Sequence, residues 1–429
     1  MVRPELFLPD RFYKGSDFSR LIFFQSSPIE LRPCKSIYLR GFDDDLFVES
    51  MVKKKSAQTQ KIDDTTSDAK SHAGANLGAD AKLHADAKLS VGDAAHESLH
   101  SYQLKPSTDV SNLPPIRGID FDQTVTMDSF VESLAATGLQ ASELSHAIEV
   151  ARMMVREKCT IFLSFTSNVI SSGLREVITW LVKHQKVGVL STSAGGVEED
   201  AIKAFSPFRL GTFFANGETL FDAGIGRIGN IYTTATHYSY FEQFMQTVFD
   251  ALLAEQKELG RPSTPTDVAR MIAIQLEKNP SYDHNTSYLY WAWKNNIPVF
   301  CPGIVDGSIG DLIYFYKHAH PDFVIDVARD NQKIIDIVLN AKKTAGIVLG
   351  GGISKHYILN ANIFREGFDY TVYISTAQSY DGSDSGGSPD EAVSWAKIKI
   401  HTPRVKVYSD VSLAFPLLVY GAFVKDSKK

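Results

Sequence analysis

Residues 381 to 398 read DGSDSGGSPDEAVSWAKI, a run with four carboxylates (Asp381, Asp384, Asp390 and Glu391) that closes on Trp395 and Lys397. A solvated acidic loop has no need of a tryptophan. Carboxylates gathered at a cavity select a cationic guest, and a lysine beside an aromatic wall, shielded from water, can form imines with carbonyl compounds. The plainer reading is a surface lysine leaving a helix. Were residues 390–398 one helix, Trp395 and Lys397 would point about 200° apart. Sharing a cavity therefore requires the helix to end near Trp395, and AKIKI reads as the start of a strand, in which residues i and i+2 share a face. A calcium loop is excluded in detail: counted from Asp381, position twelve is Ala392 and not the bidentate glutamate such a loop needs. No metal site is expected.

Other acidic residues fall at the ends of apolar runs: Glu198 and Glu199 in GGVEED, Asp306 and Asp311 in VDGSIGD. Each alone is explained as a helix cap or first-turn dipole partner. As a set at one rim, with the stretch above, they would form a negative cavity for a di- or polycation.

The elements that must position these groups alternate between strand-like and helix-period runs. CTIFLSF precedes SSGLREVITWLVKHQ, VGVLST precedes GGVEEDAIKAF, and NIPVFCP precedes GDLIYFYKH. FVIDVA precedes NQKIIDIVLNAKK, AGIVLGGG precedes KHYILNANIFR, and YTVYIST and KVYSD follow. Continuous apolar strands alternating with helices predict an α/β fold, doubly wound around a mostly parallel sheet buried on both faces. Ligands in such folds bind beyond the carboxyl ends of the strands, in the crevice where strand order reverses. The loops there are lined with small polar residues, in FTSNVISSG, TSAGGVEED, STAQ and YSDVS, which favours a broad, Rossmann-like dinucleotide crevice over a single phosphate site. Gly350 to Gly352 close a strand and open a helix, either as a ligand loop or as a plain turn. The literal GxGxxG at Gly224–Gly229 is rejected as a nucleotide site, because the following NIYTTAT is more strand than helix.

The chain has 429 residues, 44% of them apolar and 22% charged, the balance of a globular protein. A net charge of −6 with no basic patch excludes general attraction to nucleic acid or anionic membrane. Three cysteines without a CxxC pair cannot build a disulfide framework or a four-thiolate zinc site. With no signal peptide or spanning run, the expected setting is cytoplasmic. Three segments are expected. Residues 1–50 are too aromatic for a free tail and should pack on the body. Residues 51–110, within which ADAKLHADAKLS repeats a six-residue unit, form a disordered insertion. Residues 111–429 form one large domain.

The stretches CTIFL, TSN with ISSG, AGGVEED, RIGN, LGGG, KH with NAN, TAQ, DGSDSG, and PDEAVSW with KI occur in the order found in deoxyhypusine synthases. From Ile116 to the C-terminus the chain resembles that family. The resemblance implies NAD-dependent cleavage of spermidine and transfer of its aminobutyl group to a lysine of the translation initiation factor 5A precursor, by a tetramer with ligands between paired subunits. It implies Lys397 as the imine-forming lysine and His356 as the base. Glu198, Glu199, Asp311, Asn360, Gly382, Ser383, Asp384, Glu391 and Trp395 would hold spermidine. NAD would lie on Ser167, Asn168, Ser193, Ala194, Gly195, Glu199, Asp306, Gly351, Thr376, Ala377, Asp410 and Val411. Ala396 and Val411 depart from the family pattern, standing where glycine and alanine are usual. The insertion resembles protozoan forms, some of which pair an active chain with a catalytically dead paralogue. The tetramer could thus be homomeric or mixed. A homospermidine synthase, which passes the same group to putrescine, shares the imine chemistry and remains an alternative.

Overall fold

Nine strands run through residues 108–425, the part of the chain that the computed structural model describes. They are β1 Thr160–Phe165, β2 Val189–Ser191, β3 Arg209–Leu210, β4 Ile225–Ile228, β5 Ile231–Thr234, β6 Val299–Phe300, β7 Thr344–Leu349, β8 Tyr370–Ile374 and β9 Arg404–Val407. The expected N-terminal segment at 1–50, and the expected insertion up to residue 107, lie outside the described residues. From Ser111 onward the chain is one compact unit.

Six strands form the main sheet in the order β6-β2-β1-β7-β8-β9, every neighbouring pair parallel. The chain enters at the centre with β1, builds outward through β2 to β6, then returns to lay β7 against β1 and builds the other way. Strand order therefore reverses between β1 and β7, where a doubly wound fold opens its crevice. Side chains alternate across the strands. Ile161, Leu163 and Phe165 of β1 join Ala345, Ile347 and Leu349 of β7 in one core, while Phe162 and Val348 enter a second core on the opposite face. All six residues of β7 are buried, as expected of a strand covered on both sides.

Helices cover both faces, and their ends are set by local chemistry. The helix Pro265–Lys278 begins with Thr264 as N-cap, a capping box with Asp267, and proline in its first turn. The helix Leu139–Arg156 buries Leu144, Ala147, Ile148, Ala151 and Met154, spaced to share one face, and packs on β8 and β9.

Two expected strands are absent from the sheet. In FVIDVA only Ile325 forms a bridge, to Ser263. Asp326 instead caps the helix Val327–Asn340, accepting from the amides of Ala328 and Arg329 at 3.0 and 3.1 Å, so the extended run is cut short by a helix start. AKIKI makes a single bridge, Ile398 to Phe368, and the strand begins only at Arg404. The GxGxxG run lies on β4, which folds back antiparallel on β5 in a small sheet of order β3-β5-β4. No helix follows its last glycine, so it has no amide terminus to offer a phosphate.

Candidate active site

The carboxyl edge of the main sheet gathers the residues singled out from the sequence. After β1, Ser167 and Asn168 open the helix Ser167–Ser171. After β2, Ser193 is the N-cap of the helix Ala194–Phe205, and its hydroxyl is buried without a hydrogen bond. These two turns are in contact: a Cβ on Gly195 would stand 2.6 Å from Cβ of Ser167, so only glycine permits this approach. After β7, Gly351 packs against Ser385 so closely that a Cβ there would overlap the serine main chain. The triglycine turn and the acidic loop are thereby locked together. Thr376 and Ala377 follow β8, and Asp410 and Val411 follow β9, with Asp410 capping the helix Val411–Val419 through the amide of Ser412 at 2.8 Å.

One acidic set lies after β2 and β6. Glu198 and Glu199 are buried on the helix Ala194–Phe205. Glu198 accepts from the amide of Ile309 at 3.0 Å, at the start of the helix Ser308–Ala319. Asp306 accepts from the amide of Ala194 at 2.9 Å, and Asp311 stands exposed one turn into the helix. Burial, with Asp306 and Asp311 nearby, holds the Glu198 carboxyl above its ordinary range against the pull of the helix amides. Burial pushes Glu199 up to about 7, helped by the charge of Glu198 and opposed by the hydroxyl of Ser171, which donates to it. Tyr238, which sequence reasoning missed, adjoins this pair: burial and then the charges of Glu199 and Glu198 push its phenol up to about 12.

The second set follows β7 and β8. His356, on the helix Gly352–Asn362, places Nδ1 3.2 Å from Oδ1 of Asp384, and Asn360 stands one turn further along. Gly382 turns the loop with φ of 70°, and the hydroxyl of Ser383 donates to Asp381 at 2.6 Å. The other oxygen of Asp384, Oδ2, is buried without a hydrogen bond and lies 4.0 Å from Nζ of Lys355. Glu391, in the first turn of the helix Pro389–Ser394, lies over Gly387, where a Cβ would stand 3.1 Å from its carboxylate.

That helix ends as the shared cavity required, but by a different device from a strand. Trp395 is its C-cap and Ala396 has φ of 54°, in the left-handed region. The amide of Ala396 donates to Val393 O at 2.9 Å and that of Lys397 to Ala392 O at 3.0 Å, the paired bonds of a Schellman turn. The reversal carries the Lys397 ammonium to 5.8 Å from the Trp395 ring, within cation–π range. The departure at Ala396 is thus a matter of backbone conformation rather than of an added methyl beside the amine.

Three strand spacings, about 14 Å, separate β2 from β8, and among the described residues no hydrogen bond or ion pair joins the two sets. Two buried lysines beneath the acidic loop, Lys355 and Lys406, were also missed. Nothing in RVKV marks Lys406, since the strand also begins with a basic residue, Arg404.

A family model described as deoxyhypusine synthase matches residues 129–422. A relative from Dictyostelium discoideum, named "Probable deoxyhypusine synthase", is 41% identical over 341 residues, covering 75% of this chain and 89% of the relative. One of the same name from Pyrococcus furiosus is 43% identical over 326 residues, covering 74% and 97%. A crystal structure assigned to deoxyhypusine synthase from Entamoeba histolytica superposes with a TM-score of 0.51 at 27% identity, covering 72% of this chain and 97% of that one.

Proposed function

The chain belongs to the deoxyhypusine synthase family and is an aminobutyl transferase, and on that premise we propose that it cleaves spermidine at Lys397, uses NAD, and passes the aminobutyl group to a lysine of the translation initiation factor 5A precursor. The observation that carries this reading is Asp384. One of its oxygens meets His356 at 3.2 Å, and the other is buried without a donor. The Lys355 ammonium stands 4.0 Å from that second oxygen, beyond hydrogen-bonding distance, so the oxygen can still take a closer charged donor, and spermidine supplies ammonium groups.

Spermidine is a flexible trication. Asp384 and Glu391, with Asp311, Glu198 and Glu199, hold its charged ends, and Trp395 shields the methylene chain from water. Asn360, Gly382 and Ser383 complete that surface. Asp384 accepts the Nδ1 proton of His356, which leaves Nε2 to take a proton from the secondary amine. Once the aminobutyl carbon stands at the imine level, the Lys397 amine adds to it, the C–N bond to the diaminopropane half breaks, and that half leaves as an amine carrying the proton Lys397 gives up. The acceptor lysine then displaces Lys397 in the same way.

The residues of the crevice fit a dinucleotide. Ser193 offers an orphaned buried hydroxyl, and Gly195 and Gly351 let the crevice turns close on Ser167 and Ser385. Ser167, Asn168, Ala194, Asp306, Thr376, Ala377, Asp410 and Val411 would complete the cradle, with Glu199 at the border of the two ligands. NAD, when bound, supplies a hydride acceptor and returns the hydride at the end, so it is used catalytically.

Trp395 is 65% exposed in a single chain, a poor seal for a desolvated amine, which supports a site closed between paired subunits of a tetramer. We assign the enzyme to the cytoplasm. Among the described residues no helix is long and apolar enough to cross a membrane.

The test is incubation of the purified chain with NAD and spermidine labelled in its butyl portion, with and without the precursor, beside Lys397→Ala. Label on the precursor with the wild type and none with the variant is expected. Label passing only to added putrescine would favour the homospermidine reaction. A chain that forms no adduct but activates a paralogue would be a partner subunit.

A further inference from the structure

Beneath the acidic loop lie two cations that the proposed chemistry does not use. Lys355, on the helix Gly352–Asn362, is 4% exposed and donates to the main-chain oxygens of Asp384 and, at 3.2 Å, Gly387. Lys406, on β9, is 8% exposed and donates to Gly386 O at 2.7 Å and Ala377 O at 3.0 Å. Three carbonyls within four residues of the loop are therefore held from below by ammonium groups on two different elements.

Burying an ammonium is costly unless its hydrogen bonds are made. An apolar side chain on β9 would avoid that cost and would leave the carbonyls of Ala377 and Gly386 facing inward without donors. The lysine thus answers a demand set by the loops. Its two partners also differ in place. Both lie on the connection from β8 to the helix Pro389–Ser394: Gly386 in its later part, with Asp384, and Ala377 at its start, in the proposed dinucleotide cradle. Lys355 hydrogen-bonds only the acidic loop, its ammonium lying 4.9 Å over the Tyr373 ring of β8.

We infer that Lys406 is a positioning residue that fixes the spacing between the cofactor loop at Thr376–Ala377 and the substrate loop at Gly382–Gly387, so that order imposed on one by its ligand is passed to the other. Lys355 orients the substrate loop alone. Two parts of one connection sharing one buried ammonium cannot move independently without breaking one of its bonds, and coupling of this kind between sites is about 5–150-fold in affinity. The inference rests on the proposed cofactor and substrate sites.

The experiment is equilibrium binding of NAD to the full-length protein, followed by calorimetry with and without saturating spermidine. The Lys406→Met, Lys406→Arg and Lys355→Met variants are measured beside the wild type, and folding of each is checked by circular dichroism. The wild type is expected to bind NAD about tenfold more tightly with spermidine present. Lys406→Met should bring that ratio close to one and Lys406→Arg should restore part of it. Lys355→Met should weaken spermidine while keeping the ratio. Should Lys406→Met fail to fold, Lys406→Gln is read in its place, with the same loss expected. A ratio unchanged in a folded Lys406 variant overturns the positioning role while leaving the site reading intact. A wild type that binds neither ligand removes that reading and the inference with it.

Discussion

His356 and Asp384 face each other from two different elements, Nδ1 to Oδ1 at 3.2 Å, with the histidine on the helix that follows the triglycine turn and the aspartate in the loop that follows β8. The aspartate fixes which imidazole nitrogen is left as a base. Asp384→Asn would present an amide donor where an acceptor is needed, turning the ring to the wrong tautomer. Turnover of spermidine should fall by about 10²–10⁴-fold, as for loss of a general base, and His356→Ala should cost a similar factor. Steady-state kinetics with both variants checks this. An Asp384→Asn enzyme of near wild-type kcat would separate the pair from the chemistry.

Glu199 gives the ligand-free protein a pH-dependent stability. Its folded-state value, raised from 4.5 to about 7 by burial, means that the native state binds more protons than the unfolded state between those values. Stability therefore falls as pH rises through this window, by about 3 kcal/mol, and changes no further from this group above it. Urea unfolding of Glu199→Gln across pH 4.5 to 7.5 should show that slope removed. An equal slope in both proteins would mean that Glu199 titrates normally.

Gly195→Ala forces a methyl into Ser167, with only 2.6 Å between the carbons. The variant should lose about 1–3 kcal/mol of stability, as overpacking does, and NAD affinity with it. Ser167→Gly removes the opposing carbon, so the double variant should recover most of the stability in thermal unfolding. Additive losses would show that the two turns are not in contact.

Ala396 occupies a left-handed conformation that glycine adopts freely. Ala396→Gly should raise the unfolding free energy by up to about 1 kcal/mol, the strain relieved less the chain entropy added. Ala396→Val should lower it by about 1–2 kcal/mol and reduce adduct formation at Lys397. Denaturant titration and trapping of the adduct read the two effects separately.

Asp200, next to the catalytic candidates, has a structural part. It accepts from Arg175 Nε at 2.7 Å, from the hydroxyl of Ser287 at 2.5 Å and from the amide of Leu289 at 3.2 Å, all buried. Asp200→Ala strands the Arg175 guanidinium and should cost about 3–5 kcal/mol, seen as a lowered denaturant midpoint. Asp200→Ala with Arg175→Met should recover a part of it.

The main sheet was legible because its strands are continuous apolar runs, a signal strong enough to survive without neighbours. FVIDVA carried the same signal and failed, because Asp326 gains more from capping a helix than the segment would from joining a sheet. The candidate site residues stand out as motifs, and their arrangement in space does not. Nothing local in AKIKI distinguishes a strand start from a left-handed turn, since the choice lies in two main-chain hydrogen bonds to Ala392 and Val393. Tyr238, Lys355 and Lys406 were invisible for another reason. Each matters through what lies above it in space, and residue type at an isolated position reports no such thing.

The turn that carries Lys397 beneath Trp395 is closed by main-chain atoms from Ala392 to Lys397. The amine's position is therefore indifferent to the exposed side chains of Asp390 and Ser394 on the helix before it. A single residue inserted or deleted in that span would swing the amine out of place. Along this stretch the length of the segment, as well as the side chains of Trp395 and Lys397, fixes where the amine lies.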